Sequence, residues 1–552
     1  MLCLLGFFDS IFLAGGFGVV ALVAATELVE VGVCGPAGRR LRRFFRFASP
    51  PAPGAGVIRE GYCSSLAYWE GGFMNNPKNI ATELAIAALD AQSPMTSSLV
   101  DAYKSAGFTL ALVGGPVRDA ILGRLGSDLD FTTNARPNDS SKILKKWADA
   151  VWETGAAFGT IAAKKGDHTI EITTYRSESY DPTSRKPDVD FGNSIQGDLA
   201  RRDFTVNAMA LELTGDKPEF IDLFNGVEDL AKKVLRTPGS PEDSFSDDPL
   251  RMMRAARFMS QLDFTVAPEV ILAMTKMSDR LSIISAERIR EEFIKILMSP
   301  NPHLGLVLLV ETGLAELFLP ELPKLKLEID EHHHHKDVYE HTLTVLDQAI
   351  ALESRLGGPD LVIRLAALMH DIGKPRTREL IPGGGVSFHH HEVVGAKMTK
   401  KRLKELRFDG DTIEAVSSLV FLHLRFHGYG SGGWTDSAVR RYIRDAGQLL
   451  EHLHVLTRAD CTTRNKRKAE QLSATYDSLE ERITTLKAQE ELDQIRPDLD
   501  GGQIMEILGI KPGPIVGEAY SYLLELRLDR GPLGIDTAKA ELLGWARDKK
   551  LM

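Results

Sequence analysis

GGPVRDAILGRLGSDLDFTTNA, residues 114–135, decides how this chain is read. The preceding run FTLALV (108–113) is apolar and β-prone, so it predicts a strand. Gly114-Gly115 breaks that strand. Pro116 suits the first turn of a helix, and VRDAILGRL continues it. A strand, a glycine pair and a helix start make a place where backbone N–H groups can meet phosphate. The next strand is LDFTT. Residues two apart on a strand face the same way, so Asp128 and Asp130 converge beside that phosphate site. Two carboxylates there can hold Mg²⁺ against a triphosphate. A lone DxD is weak evidence; the ordered pairing with the glycine turn carries the reading.

The rest of the chain is read outward from this stretch. At 552 residues it is long enough for several domains. A net charge of −10, with 43% hydrophobic and 26% charged residues, does not mark a general nucleic-acid binder. RNA contact would have to come from local basic runs such as Arg464–Lys468 or Lys400–Arg402, each of which can equally be a solvated helix face. Cys3, Cys34, Cys63 and Cys461 form neither a disulfide framework nor a CxxC site, which fits a reducing cytoplasm.

Residues 1–73 differ from the remainder. MLCLLGFFDSIFLAGGFGVVALVAAT is followed by GRRLRRFFRF and SPPAPGAG. The basic cluster follows the apolar run, the reverse of a signal peptide, and Ser10–Thr26 is at the short limit for a membrane span. This extension is read as non-catalytic. The soluble body is read from Met74, with no membrane partner expected for it.

Residues 74–240 are expected to form a head of alternating strands and helices. An amphipathic helix is predicted over 79–105 and another over SSKILKKWADAVW (140–152). FGTIAAKKGDHTIEITTYR (158–176) reads as a hairpin turning at Lys165-Gly166-Asp167, and 177–198 as a mobile loop. Residues 241–330 read as a helical neck, 331–475 as a helical domain holding most of the histidines, and 476–552 as a helical tail. On the neck helix DDPLRMMRAARF (247–258), Asp248, Arg251 and Arg254 recur every three residues and share a face. Such a face is either an intrahelical ion-pair ladder or the wall of a polar cleft.

GGPVRD…DLD, RRDFTVNAMAL (201–211), IDLFNGVEDLAKKVLRT (221–237) and DDPLRMMRAARF together resemble the tRNA nucleotidyltransferase / poly(A) polymerase family, in its bacterial class II branch. With LAALMHDIGK (365–374) the likeness extends to actinobacterial CCA-adding enzymes that carry an HD domain. The resemblance implies an α+β fold: a polymerase β-like nucleotidyltransferase head built on a mixed β-sheet with helices, then all-α neck, HD and tail domains.

It also implies roles. Asp128 and Asp130 would be the Mg²⁺ carboxylates. Gly114, Gly115, Arg118 and Asp119 would lie around the triphosphate and primer end. Arg202, Asp248 and Arg251 would read the incoming base, with Asn207 and Arg254 nearby. Cytosine and adenine each present an amino donor beside a ring-nitrogen acceptor, which a carboxylate next to an arginine matches; uracil and guanine reverse the pattern. The implied reaction adds CCA to the tRNA 3′ end from CTP and ATP by two-metal transfer. Asp247-Asp248 stands where the family often has Glu-Asp, a mild departure. Glu171 is either a third carboxylate near the metals or a half-exposed strand residue. The Ser285–Arg288 segment is expected to support the base-reading helix.

His341, His370-Asp371 and Asp460 follow the H…HD…D order of HD phosphohydrolases and would bind Mn²⁺, Ni²⁺ or Zn²⁺. His390, His391, His423 and His427 are candidates for a second metal position, and His332–His335 a loose run. Two alternatives share these motifs in whole or part: a poly(A) polymerase on the same fold, and a metal phosphohydrolase whose head only binds nucleotide.

Overall fold

The computed structural model describes residues 77–551 except 176, 180–187, 191–193, 327–336, 381–385, 430–433, 462–465 and 491–495. The apolar N-terminal extension, the His332–His335 run and the start of the Arg464–Lys468 run lie outside the described residues.

The head is a seven-stranded mixed sheet in the order β3-β4-β5-β2-β1-β8-β9. Its strands are β1 (Leu110–Val113), β2 (Asp128–Thr133), β3 (Ala150–Trp152), β4 (Thr160–Lys165), β5 (His168–Thr174), β8 (Met209–Glu212) and β9 (Glu219–Asp222). Only β2 and β5 run parallel; every other neighbouring pair is antiparallel. β4 and β5 form the expected hairpin. Burial along β2 alternates, leaving Asp128 and Asp130 exposed while Leu129 and Phe131 enter the core.

Four local expectations are corrected. The predicted helix over 79–105 is two helices, α1 (Pro77–Asp90) and α2 (Met95–Ser105), parted before Pro94. The predicted helix 140–152 stops at Trp147; α4 (Pro137–Trp147) gives way to β3, because Ala150–Trp152 gains a ladder with β4. The glycine-started helix α3 spans only Gly115–Ile121. Within the predicted loop 177–198, Ser177–Ser179 (β6) pairs with Asp188–Asp190 (β7), and α5 begins at Ile195.

Beyond the head come α6 (Gly226–Lys232), α7 (Pro241–Asp247), α8 (Leu250–Leu262), α9 (Pro268–Lys276), α10 (Ala286–Leu297) and α11 (Pro302–Glu311). Small residues set the neck's packing. A Cβ on Gly305 would lie 2.7 Å from the Ala256 carbonyl, so only glycine lets α11 approach α8 this closely. The histidine-rich part holds α13 (Val338–Ala351), α14 (Leu361–Met369), α15 (His391–Glu405), α16 (Gly410–Leu422), α17 (Asp436–Ala446) and α18 (Leu450–Ala459), with α12 (Ala315–Phe318) before them. A short strand pair, Glu379–Leu380 with Val386–Ser387, interrupts what was expected to be helical throughout. Arg364 on α14 reaches back to the end of α10, donating to the carbonyls of Leu297 (2.5 Å) and Ser299 (2.8 Å) while it pairs with buried Glu353. One apolar core therefore runs from Ala81 to Leu486, and the C-terminal helices after Leu499 enclose a second. Among the described residues no helix is long and apolar enough to cross a membrane.

Candidate active site

A cleft of about 650 Å³ opens between the sheet and the neck. Its floor carries Asp130 and Glu171, which are register partners on the parallel strands β2 and β5. Asp128 stands on the same face of β2, two residues away. Enclosure at the cleft floor and the charge of Glu171 push the Asp130 carboxyl up to about 6. A divalent cation would relieve that crowding, and an all-oxygen carboxylate set suits a hard ion such as Mg²⁺.

Gly114 has φ +79°, a left-handed conformation, and a Cβ there would sit 2.5 Å from Nη1 of Arg202. Arg202 thus presses against the glycine turn, paired with Asp198 at 3.3 Å, and lines the cleft. Arg118 is buried; it donates to Asn207 Oδ1 at 2.6 Å and to Asp119 Oδ2 at 2.8 Å. Asn207 donates to Asp203 Oδ1 at 3.0 Å. Arg254 donates through Nε to Asp203 Oδ2 at 2.7 Å, and its Nη2 reaches the same oxygen. A chain of hydrogen bonds therefore runs from α3 to α8. Burial alone would raise Asp203, yet Arg254 and Asn207 hold it at about 2. Arg118 thus bridges Asn207 and Asp119, and none of the three lines the cleft. Asp203, within RRDFTVNAMAL, is not marked out by the sequence, because a lone motif aspartate gives no sign of a partner 51 residues on.

The opposite wall comes from α8 and the neck. Asp248 caps α7; its Oδ1 accepts from Leu250 N–H (3.1 Å) and its Oδ2 from Arg288 (3.0 Å). Arg251 is held by Ser244 Oγ (2.9 Å) and the Arg201 carbonyl (2.5 Å). Asp248, Arg251 and Arg254 all line the cleft, so they are its wall and not an ion-pair ladder along one helix. The segment Ser285–Arg288 does more than brace α8, because Arg288 enters the cleft and bonds Asp248.

A second constellation lies in the histidine-rich helices. His341, His370 and Asp460 form one compact ligand group, and Asp371, His391 and His423 another. The two adjoin: His370 Nε2 lies 3.2 Å from Asp371 Oδ2, and His391 Nε2 lies 3.3 Å from both Asp371 Oδ1 and His423 Nε2. The Nδ1 atoms of His370, His391 and His423 each face a backbone carbonyl three residues earlier, at 2.8, 2.8 and 2.6 Å. That leaves each Nε2 lone pair for a metal, with the ring orientation fixed from behind. Burial pushes His423 down to about 3, so it is neutral as a ligand must be. Burial would raise Asp371, but His370 keeps it well below the usual carboxylate range. This donor set fits divalent metal. His390 does not join it. Its side chain is 82% exposed and turns toward Glu392, because His390 takes φ +60° ahead of α15 and points away from the cluster. The side chain of His427 lies outside the described residues. The basic run Lys400–Arg402 is occupied by acidic partners, Glu414, Glu405 and Glu321.

A carboxylate-bearing mixed sheet, a glycine turn and a helical wall with an Asp–Arg pair define a nucleotidyltransferase head. Residues 110–236 match the model of the poly A polymerase head domain, 263–325 that of the probable RNA and SrmB-binding site of polymerase A, and 338–465 that of the HD domain. The A-adding tRNA nucleotidyltransferase of Deinococcus radiodurans is 34% identical over 79% of this chain and 96% of its own length. The chain belongs to the tRNA nucleotidyltransferase / poly(A) polymerase family. It is also 42% identical to the CCA-adding enzyme of Lactobacillus helveticus over 40% of this chain, a match that spans about half (53%) of that relative. The Bacillus stearothermophilus CCA-adding enzyme in complex with CTP shares the fold, with a TM-score of 0.61 and 23% identity over 83% of this chain and 99% of that one.

Proposed function

We propose that this protein adds CCA to the 3′ end of tRNA in the cytoplasm, using CTP and ATP and releasing pyrophosphate, with no nucleic-acid template. The observation that carries this reading is one cleft in which Asp130 and Glu171 face Asp248 and Arg251. Asp128, Asp130 and Glu171 would hold Mg²⁺, which supplies positive charge to the reacting phosphate and lowers the pKa of the attacking hydroxyl. The backbone at Gly114-Gly115 and the guanidinium of Arg202 receive the triphosphate. Asp248 offers an acceptor beside the Arg251 donor, and that order matches cytosine and adenine and leaves unpaired groups against uracil and guanine. Arg118, Asp119, Asn207 and Arg254 hold the two walls in register through Asp203. The HD centre would hold Mn²⁺, Ni²⁺ or Zn²⁺ on His341, His370, Asp371, Asp460, His391 and His423.

A second reading, addition of A alone, is favoured by the long match to an A-adding tRNA nucleotidyltransferase. tRNA transcripts ending at the discriminator base, at C and at CC decide between them when each is incubated with CTP, ATP or both. CCA addition extends all three to the same end. Extension of the CC-ended transcript alone, with ATP alone, would replace the reading by A-addition, and long tails on oligo(A) would replace it by poly(A) synthesis.

A further inference from the structure

Lys397, Lys400, Lys401 and Lys404 stand on one face of α15, at the spacing that sets helix residues side by side, and all four are exposed. Arg402, in the same basic segment, turns inward instead. It makes a two-pronged pair with Glu321, 2.9 Å to each carboxylate oxygen, and so fastens α15 to the end of the neck. The lysines brace nothing. Lys397 and Lys404 have no side-chain partner among the described residues, Lys401 lies 3.8 Å from Glu405, and Lys400 pairs with Glu414 at 2.7 Å in open solvent. Exposed pairs of this kind contribute little. A solvated helix face accounts for scattered lysines. Four on one face of a chain whose net charge is −10 create a local field of opposite sign.

The two ends of this stripe say what it serves. Just past α15, Arg407 takes a left-handed φ of +62°, and its carbonyl accepts from Arg290 on α10. Its guanidinium lies 3.9 Å from Glu287. The next residue, Arg288, lines the cleft and bonds Asp248. The stripe therefore starts near the rim of the cleft. From Lys404 to Lys397 it runs about 10 Å along α15, at the helical rise of about 1.5 Å per residue. At its far end it opens on a groove of about 530 Å³ between α15, α16 and α17. Lys397, Lys400, Arg425 and Arg444 line that groove with Glu414 and Asp445, among serine and apolar side chains, so cations exceed anions by two. Phe421 is 39% exposed there, with the Arg425 guanidinium 5.9 Å from its ring.

We infer that the lysine face of α15, with the groove beyond it, is a docking surface for the sugar–phosphate backbone of tRNA outside the cleft. The inference deepens the nucleotidyl-transfer reading above and rests on it. A cleft of about 650 Å³ takes a nucleotide and a strand end, so the body of a folded RNA has to lie on the surface beyond. A lysine ammonium is a point charge on a flexible stem, which suits phosphate. Phosphate contacts fix position without reading bases, as an enzyme that accepts many tRNA sequences at one 3′ end requires. A membrane surface would give no reason for the stripe to start beside the cleft.

The test combines Lys397→Ala, Lys401→Ala and Lys404→Ala and follows filter retention of tRNA across a salt series. Affinity should fall by about tenfold or more at physiological salt, and the slope of log affinity against log salt should shrink by about three, roughly one per lost phosphate contact. The KM for tRNA should rise in step, while the KM for CTP stays within about twofold. Lys397→Arg with Lys401→Arg and Lys404→Arg, which keeps the charge, should keep wild-type affinity. Lys142→Ala with Lys146→Ala and Lys232→Ala removes three exposed lysines of the head, the same change in net charge, and should leave tRNA affinity within about twofold. An equal loss in that head variant would overturn the proposal in favour of net charge alone. An unchanged salt slope in the α15 alanine variant would overturn it in favour of a solvated face. Weaker binding of that variant to phosphatidylserine vesicles, with tRNA affinity intact, would overturn it in favour of a membrane surface. A wild type that binds tRNA through the stripe yet extends none would instead sink the nucleotidyl-transfer reading.

Discussion

Arg254 donates from two of its nitrogens to a single carboxylate oxygen of Asp203, 51 residues earlier, and so ties α8 to the strand-leading segment that carries Arg202. Through Asn207 the same carboxylate is joined to Arg118 behind the glycine turn. The cleft wall on α8 and the glycine turn are thereby joined by one chain of hydrogen bonds, as positioning of a triphosphate between them would demand.

Asp203→Asn should therefore destabilise the protein. The Asp203 carboxyl is held at about 2 in the folded state against an ordinary 3.8, so its stabilisation is fully present above pH 4 and is lost as pH falls through about 2. At neutral pH the difference in urea unfolding should be about 2 kcal/mol, shrinking by about half near pH 3. A difference that is constant from pH 7 to pH 3 would show that Asp203 acts through shape and not charge.

Asp128→Ala and Asp130→Ala should each reduce nucleotide addition by on the order of a hundredfold or more, as the proposal that these carboxylates hold the metal requires. tRNA binding, measured by filter retention, should survive, since it rests on phosphate contacts elsewhere. Addition at near wild-type rates would remove the metal assignment.

Asp130 carries a second expectation of opposite sign to Asp203. Its carboxyl is raised to about 6 in the folded state, so the metal-free protein should lose stability as pH rises from about 4 through 6. Asp130→Asn should flatten that loss in thermal melts while abolishing addition. Mg²⁺ should stabilise the wild type at pH 7 and the variant much less.

Arg251→Ala should relax the choice of C and A over U and G, raising relative UTP incorporation by about tenfold or more as the unpaired-donor penalty disappears. Competition assays with paired nucleotides read this directly. Undetectable UTP incorporation with collapsed CTP and ATP affinity would make Arg251 a phosphate ligand.

The double variant His370→Ala with Asp371→Ala should lose bound transition metal by elemental analysis yet retain nucleotide addition. Each ligand group is complete within the helices from α13 to α18, and the head's carboxylates stand on a sheet of their own. Loss of addition in a folded variant would show that the HD helices shape the tRNA site.

What the sequence determined by itself was local. A glycine pair after an apolar run sets a turn, residues two apart on β2 share a face, and residues three apart on α8 share another; backbone geometry alone forces each of these. The same locality misled at 140–152, where helix propensity ran past Trp147 into a strand that only pairing with β4 stabilises. The tertiary structure decided the partners. Arg118 meets Asn207 across 89 residues, Arg288 meets Asp248 across 40, and His391 meets His423 across 32. It also decided that His391 joins the His–Asp cluster while His390, one residue earlier, does not. No spacing rule reaches such distances, because they depend on which buried surfaces close against each other. Enclosure in the cleft with Glu171 then raises Asp130, the partner Arg254 lowers Asp203 and burial lowers His423, shifts that the same residues in an unfolded chain would not show.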